Sequence, residues 1–169
     1  MIPALMMALL SVGGMSLPVH TIDGETRSFP QDAELPRSVF VVTFTKSASA
    51  QGSVWTSRLR DAGEALGAVV FQVSVIEDVP KPFRSSVITA MARQVPQPLH
   101  ARFWIAVSEG KSWQECAGLA SPKEAHVFVV DGRDQVVWRD HGEATDAKIR
   151  EIQALASPIQ ERIGVGNTP

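Results

Sequence analysis

One cysteine, Cys116, stands in a chain of 169 residues. A single thiol excludes an intramolecular disulfide and any zinc site built from several thiolates. The four histidines, His20, His100, His126 and His141, have no partner four residues away and no repeated carboxylate spacing, so no metal site is expected. No glycine-rich phosphate loop is present either. Gly13-Gly14 belongs to an apolar opening stretch, and no cofactor is expected. The net charge of -2 gives no whole-protein drive toward nucleic acid or anionic lipid. Basic side chains are missing before Arg27. The apolar run over residues 2–12 (IPALMMALLSV) is too short to cross a bilayer as a helix, so no transmembrane helix is expected.

That run is followed by small residues, and Gly14-Met15-Ser16 has the small-x-small form of a cleavage site. Residues 1–16 are therefore expected to be an export leader, although its positively charged start is absent. The expected location is periplasmic or otherwise exported, with the cytoplasm as the alternative. Residues 17–157 read as one domain and 158–169 as a tail. Hydrophobic residues at 44% and charged residues at 20% suit a globular domain with a real core.

Residues 17–29 (LPVHTIDGETRSF) alternate apolar and polar side chains around Asp23-Gly24, the pattern of a hairpin whose tight turn needs positive φ. Residues 40–44 and 69–75 (VVFQVSV) read as strands covered on both faces. Trp55, Leu59, Ala62 and Leu66 recur at helical spacing, predicting a helix over residues 53–66 that ends at Gly67. A second helix over 81–94 brings Phe83, Val87, Ile88 and Met91 to one side, stopped by Pro96 and Pro98. A short strand at 103–107 and a short helix at 112–120 follow. Residues 126–130, 131–134 and 135–138 read as strand, tight turn, strand. Thr145 caps a last helix carrying Ile149, Ile152 and Leu155.

Strand, helix, strand, helix, then a hairpin and a closing helix resembles the thioredoxin order, with a hairpin placed in front as in thioredoxin-like reductases and peroxiredoxins. Residues 127–144 (VFVVDGRDQVVWRDHGEA) are similar to the apolar strand, Asp turn, Trp and Gly-x-Ala stretch of the redoxin (AhpC-TSA) superfamily. The resemblance implies an α/β fold with a central mixed sheet flanked by helices and an N-terminal β-hairpin extension. Residues 71–80 (FQVSVIEDVP) and 83–86 are similar to the YtfJ group of periplasmic proteins. Residues 53–55, 73–77 and 128–144 are similar to the mitochondrial ATP-synthase assembly-factor family.

Aligned to thioredoxin from Phe44, the two positions of Cys-x-x-Cys fall on Ser49 and Gly52. Neither can replace a low-pKa thiolate and its resolving partner. Ala125 falls where the resemblance puts a cis-proline. The resemblance thus implies a redox-inactive binding or assembly module, with an unidentified protein partner. Its degenerate loop comprises Lys46, Ser47, Ser49, Gln51 and Gly52, at a helix start where free N–H groups favour anions. Residues 79–108 contain no Asp or Glu, yet carry Lys81, Arg84, Arg93 and Arg102. These four are the expected partner-binding residues, facing an acidic protein or a nearby lipid surface; no nucleic-acid motif accompanies them. The alternative is a divergent one-cysteine redoxin, a thiol peroxidase or disulfide exchanger using Cys116.

Overall fold

The structure is a computed structural model and describes residues 10–34 and 36–156. Among these residues eight strands form one sheet: β1 (Leu10–Ser11), β2 (Leu17–Thr21), β3 (Thr26–Phe29), β4 (Arg37–Thr43), β5 (Val69–Val75), β6 (Phe103–Ala106), β7 (His126–Asp131) and β8 (Gln135–His141). Their order is β1-β8-β7-β4-β5-β6-β2-β3. The sheet is mixed: β4, β5 and β6 run parallel, and the remaining pairs are antiparallel. Among the described residues four α-helices accompany it: α1 (Ser49–Asp61), α2 (Lys81–Gln94), α3 (Gly110–Ala117) and α4 (Asp146–Ala154).

β4 explains why the centre of the sheet reads as continuous apolar sequence. Alternate side chains point to opposite faces, and both faces are covered. Val39 and Val41 join Trp55 and Leu59 of α1 and Ile149 and Ile152 of α4. Phe40 and Val42 join Phe71, Trp104, Trp113 and Phe128 on the other face. The front hairpin forms around Asp23-Gly24; of that pair only Gly24 takes positive φ, at 92°, and the turn closes between Thr21 and Glu25 rather than over two residues. It extends the sheet by pairing β2 against β6, and Phe29 inserts among Phe40, Trp113 and Phe128. Thr145 caps α4 as expected, its hydroxyl accepting from the Lys148 amide.

Three expectations need correction. α1 begins at Ser49 rather than residue 53, led by a 3-10 turn over Lys46–Ala48, and a second 3-10 turn at Gly63–Leu66 finishes the segment. α3 spans Gly110–Ala117 rather than 112–120, because Gly118 at φ 62° ends it in a left-handed cap. α2 forms where expected, but no residue on it is buried, and Phe83 is 62% exposed.

The chain upstream of the hairpin also takes part in the domain. β1 pairs with β8, Val12 is fully buried, and its amide donates to the Asp134 carbonyl at 2.8 Å. The Met15 carbonyl accepts from Gln31 Nε2 at 2.7 Å. Residues 1–9 and the tail from 157 onward lie outside the described residues. A chain lacking residues 1–16 is expected to be less stable than one lacking 1–9, by about 2 kcal/mol for the lost burial of Val12 alone. Urea denaturation of the two truncations checks this, and equal midpoints would remove β1 from the folding unit.

Candidate functional site

The Lys46–Gly52 loop sits at the C-terminal end of β4, where the strand hands over to α1. Bonds between residues 74 to 88 positions apart tie this corner together. Thr45 Oγ1 donates to the Pro122 carbonyl at 2.7 Å. Gln51 Oε1 accepts from the Ala125 amide at 2.7 Å. Trp55 Nε1 donates to the Gly142 carbonyl at 2.7 Å, and Arg58 bonds the Ala144 carbonyl and Asp146. Ala125 is fully buried, and its amide, at the position matching the cis-proline, is already engaged by Gln51. The cis peptide bond among the described residues is elsewhere, at Phe29-Pro30.

On this β7 side the corner is closed. Beneath it lies His126, fully buried, its Nε2 accepting from the Ala120 amide at 3.1 Å and its Nδ1 donating to the Glu124 carbonyl at 3.0 Å. Those two bonds fix the neutral tautomer, since the Nε2 lone pair is needed as an acceptor. Burial pushes the His126 pKa below the ordinary histidine value, and the neighbouring His141 adds to this while the Glu124 carbonyl opposes it. His141 stacks on the His126 ring at 5.6 Å and pairs with the Glu124 carboxylate at 2.8 Å. This set orients the 120–125 loop. Among the described residues no group of three or more His, Cys, Asp or Glu is placed to hold a metal ion.

The α2 side of the same corner is open. A cavity of about 580 Å³ lies between the ends of β4 and β5 and the inner side of α2. Phe44, Val75, Ile76, Val79, Val87 and Met91 supply its apolar walls, and Lys46 and Ser49 reach it from the loop. Ser49, the first of the two cysteine-matching positions, thus borders a groove. Gly52, the second, is buried in α1 against the sheet. A Cβ there would meet Thr43 Cγ2 at 2.8 Å and Val41 Cγ1 at 3.8 Å.

Two opposing effects decide what alanine does at Gly52. Removing a helix glycine gains about 1 kcal/mol of propensity, while overpacking a rigid β-branched neighbour costs roughly 1–3 kcal/mol. Packing is expected to win, so Gly52→Ala destabilises by about 1 kcal/mol and adding Thr43→Ser, which deletes the opposing methyl, restores the loss. A denaturant midpoint that rises in Gly52→Ala alone would overturn this account.

The four expected partner-binding residues have different local settings. Arg84 is turned back, donating to the carbonyls of Val79 at 2.9 Å and Glu77 at 3.0 Å, which fastens the turn leading into α2. Lys81 and Arg93 are exposed near the two ends of that helix. Arg102 follows α2 by a 3-10 turn, lies 3.8 Å from Glu34, and borders a different cleft of about 350 Å³ together with Arg60. Burial, and then Arg102, lowers the Arg60 pKa from its ordinary value. Of the four, Lys81 and Arg93 are exposed on α2, whereas Arg84 and Arg102 have partners of their own.

Cys116 is remote from the loop in role and in environment. It is fully buried in α3 beside Trp113, and its nearest polar contact is Met15 Sδ at 3.7 Å. Burial, and secondarily Glu115, pushes its pKa up to about 12. The charge of Arg139 favours the thiolate but does not offset the burial. The cavity, Gln51 as a plug on Ala125, and the His126 arrangement were not read from the sequence, because each depends on contacts between distant segments.

No protein-family model matches the chain, and no curated protein matches it. Solved structures do. The exposed lipoprotein thioredoxin from Streptococcus pneumoniae superposes with a TM-score of 0.59 at 12% identity, covering 83% of this chain and 99% of that one. A member of the Sco family of cytochrome c oxidase assembly proteins superposes with a TM-score of 0.56 at 13% identity, covering 89% and 96%. The bacterioferritin comigratory protein of Xanthomonas campestris, described for alkyl peroxide reduction, gives 0.56 at 18%, covering 83% and 92%. Together with the sheet order and the flanking helices, these likenesses establish that the chain has the thioredoxin-like fold.

Proposed function

We propose that this protein is a redox-inactive, exported binding module that uses the groove between the Lys46–Ser49 loop and α2. The observation that carries the reading is the pairing of a lost thiol site with an open cavity. Ser49 and Gly52 stand at the two cysteine positions, and the groove beside them remains about 580 Å³ in volume. Losing the thiols removes turnover without removing the place where a ligand would rest. Export is supported by the description of one neighbour as an exposed lipoprotein. An assembly role is the analogy offered by the Sco-family neighbour. Among the described residues no helix is long and apolar enough to cross a membrane.

A one-cysteine redoxin would need Cys116 to be exposed and acidic, and it is neither. The direct test measures thiol-dependent peroxide and disulfide reduction by the protein and by Cys116→Ser. Equal rates at the buffer level are expected. Turnover that disappears in Cys116→Ser would overturn the binding-module reading.

A further inference from the structure

The loop over residues 118–125 closes the β7 side of the corner. Thr45 holds its Pro122 carbonyl, Gln51 holds its Ala125 amide, and the Glu124 carboxylate accepts from His141 Nδ1 at 2.8 Å. The innermost anchor is His126, whose two ring nitrogens reach the Ala120 amide and the Glu124 carbonyl. A single imidazole therefore ties down both ends of the stretch from Ala120 to Glu124.

An imidazolium cannot make the same pair of bonds. Both ring nitrogens then carry hydrogen, and neither accepts. The new Nε2–H would face the Ala120 N–H across 3.1 Å, two donors opposed inside the protein. The ring is fully buried, so water relieves neither the charge nor the lost bond.

The surroundings do little to hold a cation there. His141 lies directly opposite on β8, stacked at 5.6 Å, and repels it when charged. The Glu124 charge favours the cation, but that carboxylate is already bonded to His141. On the β4 side stand Val42 and Phe44, the latter edge-on to the His126 ring at 5.9 Å, and both are uncharged. α3 contributes Trp113, Cys116 and Ala117 to this core, while its Lys111 and Glu115 are exposed. Lys148 of α4 is held by the His141 carbonyl at 2.6 Å and by Asp140 at 3.5 Å.

We propose that His126 is an acid-operated latch: its protonation releases the 118–125 loop and opens the β7 side of the corner. Once the loop opens, His126 meets water and binds a proton at about pH 6.5. Burial holds the closed form's affinity for that proton lower, so the open form carries more protons in this range. Closure is therefore at full strength above the ordinary histidine pKa and weakens as pH falls through it. One proton limits the change in the opening constant to about tenfold per pH unit. Phe44 and Thr45, which touch His126 and the loop, also line the cavity on the α2 side. Opening thus alters a wall of the groove, and it does not require the groove to hold a ligand.

Native-state amide exchange of the full chain, followed by NMR and corrected for intrinsic rates, reads the latch at the Ala120 and Ala125 amides. Between pH 7.5 and 5.5 their protection is expected to fall about three- to tenfold. Low urea should leave their exchange unchanged while speeding that of Phe40 at the sheet centre, which marks a local opening. His126→Gln, which can accept and donate but does not titrate, is expected to abolish the acid decline. His141→Gln is expected to keep it. Should His126→Gln fail to fold, the wild-type and His141→Gln profiles decide. Protection that stays flat with pH, a decline lost in His141→Gln, or a urea response equal to that of Phe40 would overturn the latch. None of these results bears on the binding-module reading, which thiol-dependent turnover tests.

Discussion

Replacing Phe40 with alanine is expected to lower stability by about 3–5 kcal/mol, the range for deleting a buried aromatic ring. Phe40 is fully buried at the middle of β4, and four rings depend on it. Phe71 and Phe128 stack on its sides at 5.2 and 5.3 Å, Phe29 meets it edge-on at 4.9 Å, and Trp104 lies 5.7 Å away. Each such pair adds roughly 0.5–1.5 kcal/mol beyond area burial. The cavity cannot close by collapse, because its neighbours come from β5, β6, β7 and the front hairpin, each held in register by the sheet. At roughly 2–4 °C per kcal/mol for a domain of this size, the melting temperature should fall by about 6–20 °C. Phe40→Leu, which keeps most of the volume, should lose less than half of that. A melting temperature unchanged in Phe40→Ala would mean that the ring cluster does not anchor the core.

The second large effect concerns Cys116. With its pKa pushed up to about 12, the native thiol should react with a disulfide reagent at pH 8 about a thousandfold more slowly than an ordinary cysteine, because only the thiolate attacks. Unfolding in guanidinium should restore the ordinary rate. The same shift carries a stability consequence. The unfolded chain releases this proton first and so binds fewer protons than the native state at alkaline pH. Stability is therefore full below the ordinary cysteine pKa and declines as pH rises from there toward about 12. Cys116→Ser should remove that part of the alkaline decline. Rapid labelling of the folded protein at pH 8 would contradict the buried setting and reopen a thiol mechanism.

The two experiments touch the parts of the protein that its sequence describes most and least well. The core was legible because strand periodicity is local. The β4 and β5 runs, the Asp23-Gly24 turn and the Thr145 cap each announce themselves within a few residues. The start of α1 was not, because Ala48 at its cap carries no side-chain signal. The apolar face of α2 is only partly used, for a different reason: Ile88 and Met91 pack on the core, but the helix lies beside a cavity and leaves Phe83 in solvent. The basic residues illustrate the same limit. Their proximity in sequence says nothing about the Val79 and Glu77 carbonyls that capture Arg84 or the Glu34 carboxylate near Arg102. The loop positions Ser49 and Gly52 could be located by alignment, whereas the bond from the Ala125 amide to Gln51 spans 74 positions and leaves no local trace.

The contact between Gly52 and Thr43 also sets an order on any attempt to build a Cys-x-x-Cys pair into this loop. A cysteine at residue 52 needs a Cβ, and that atom lands 2.8 Å from the Thr43 methyl. The strand would have to change first, through a smaller residue at 43, before the helix could accept the thiol. A cysteine at Ser49 alone would face no resolving partner and gain no exchange activity. Installing Cys-x-x-Cys at 49 and 52 therefore takes at least three substitutions, and the first of them, at Thr43, adds no thiol. Packing sets the order: the strand residue must shrink before the helix position can carry a side chain of any kind.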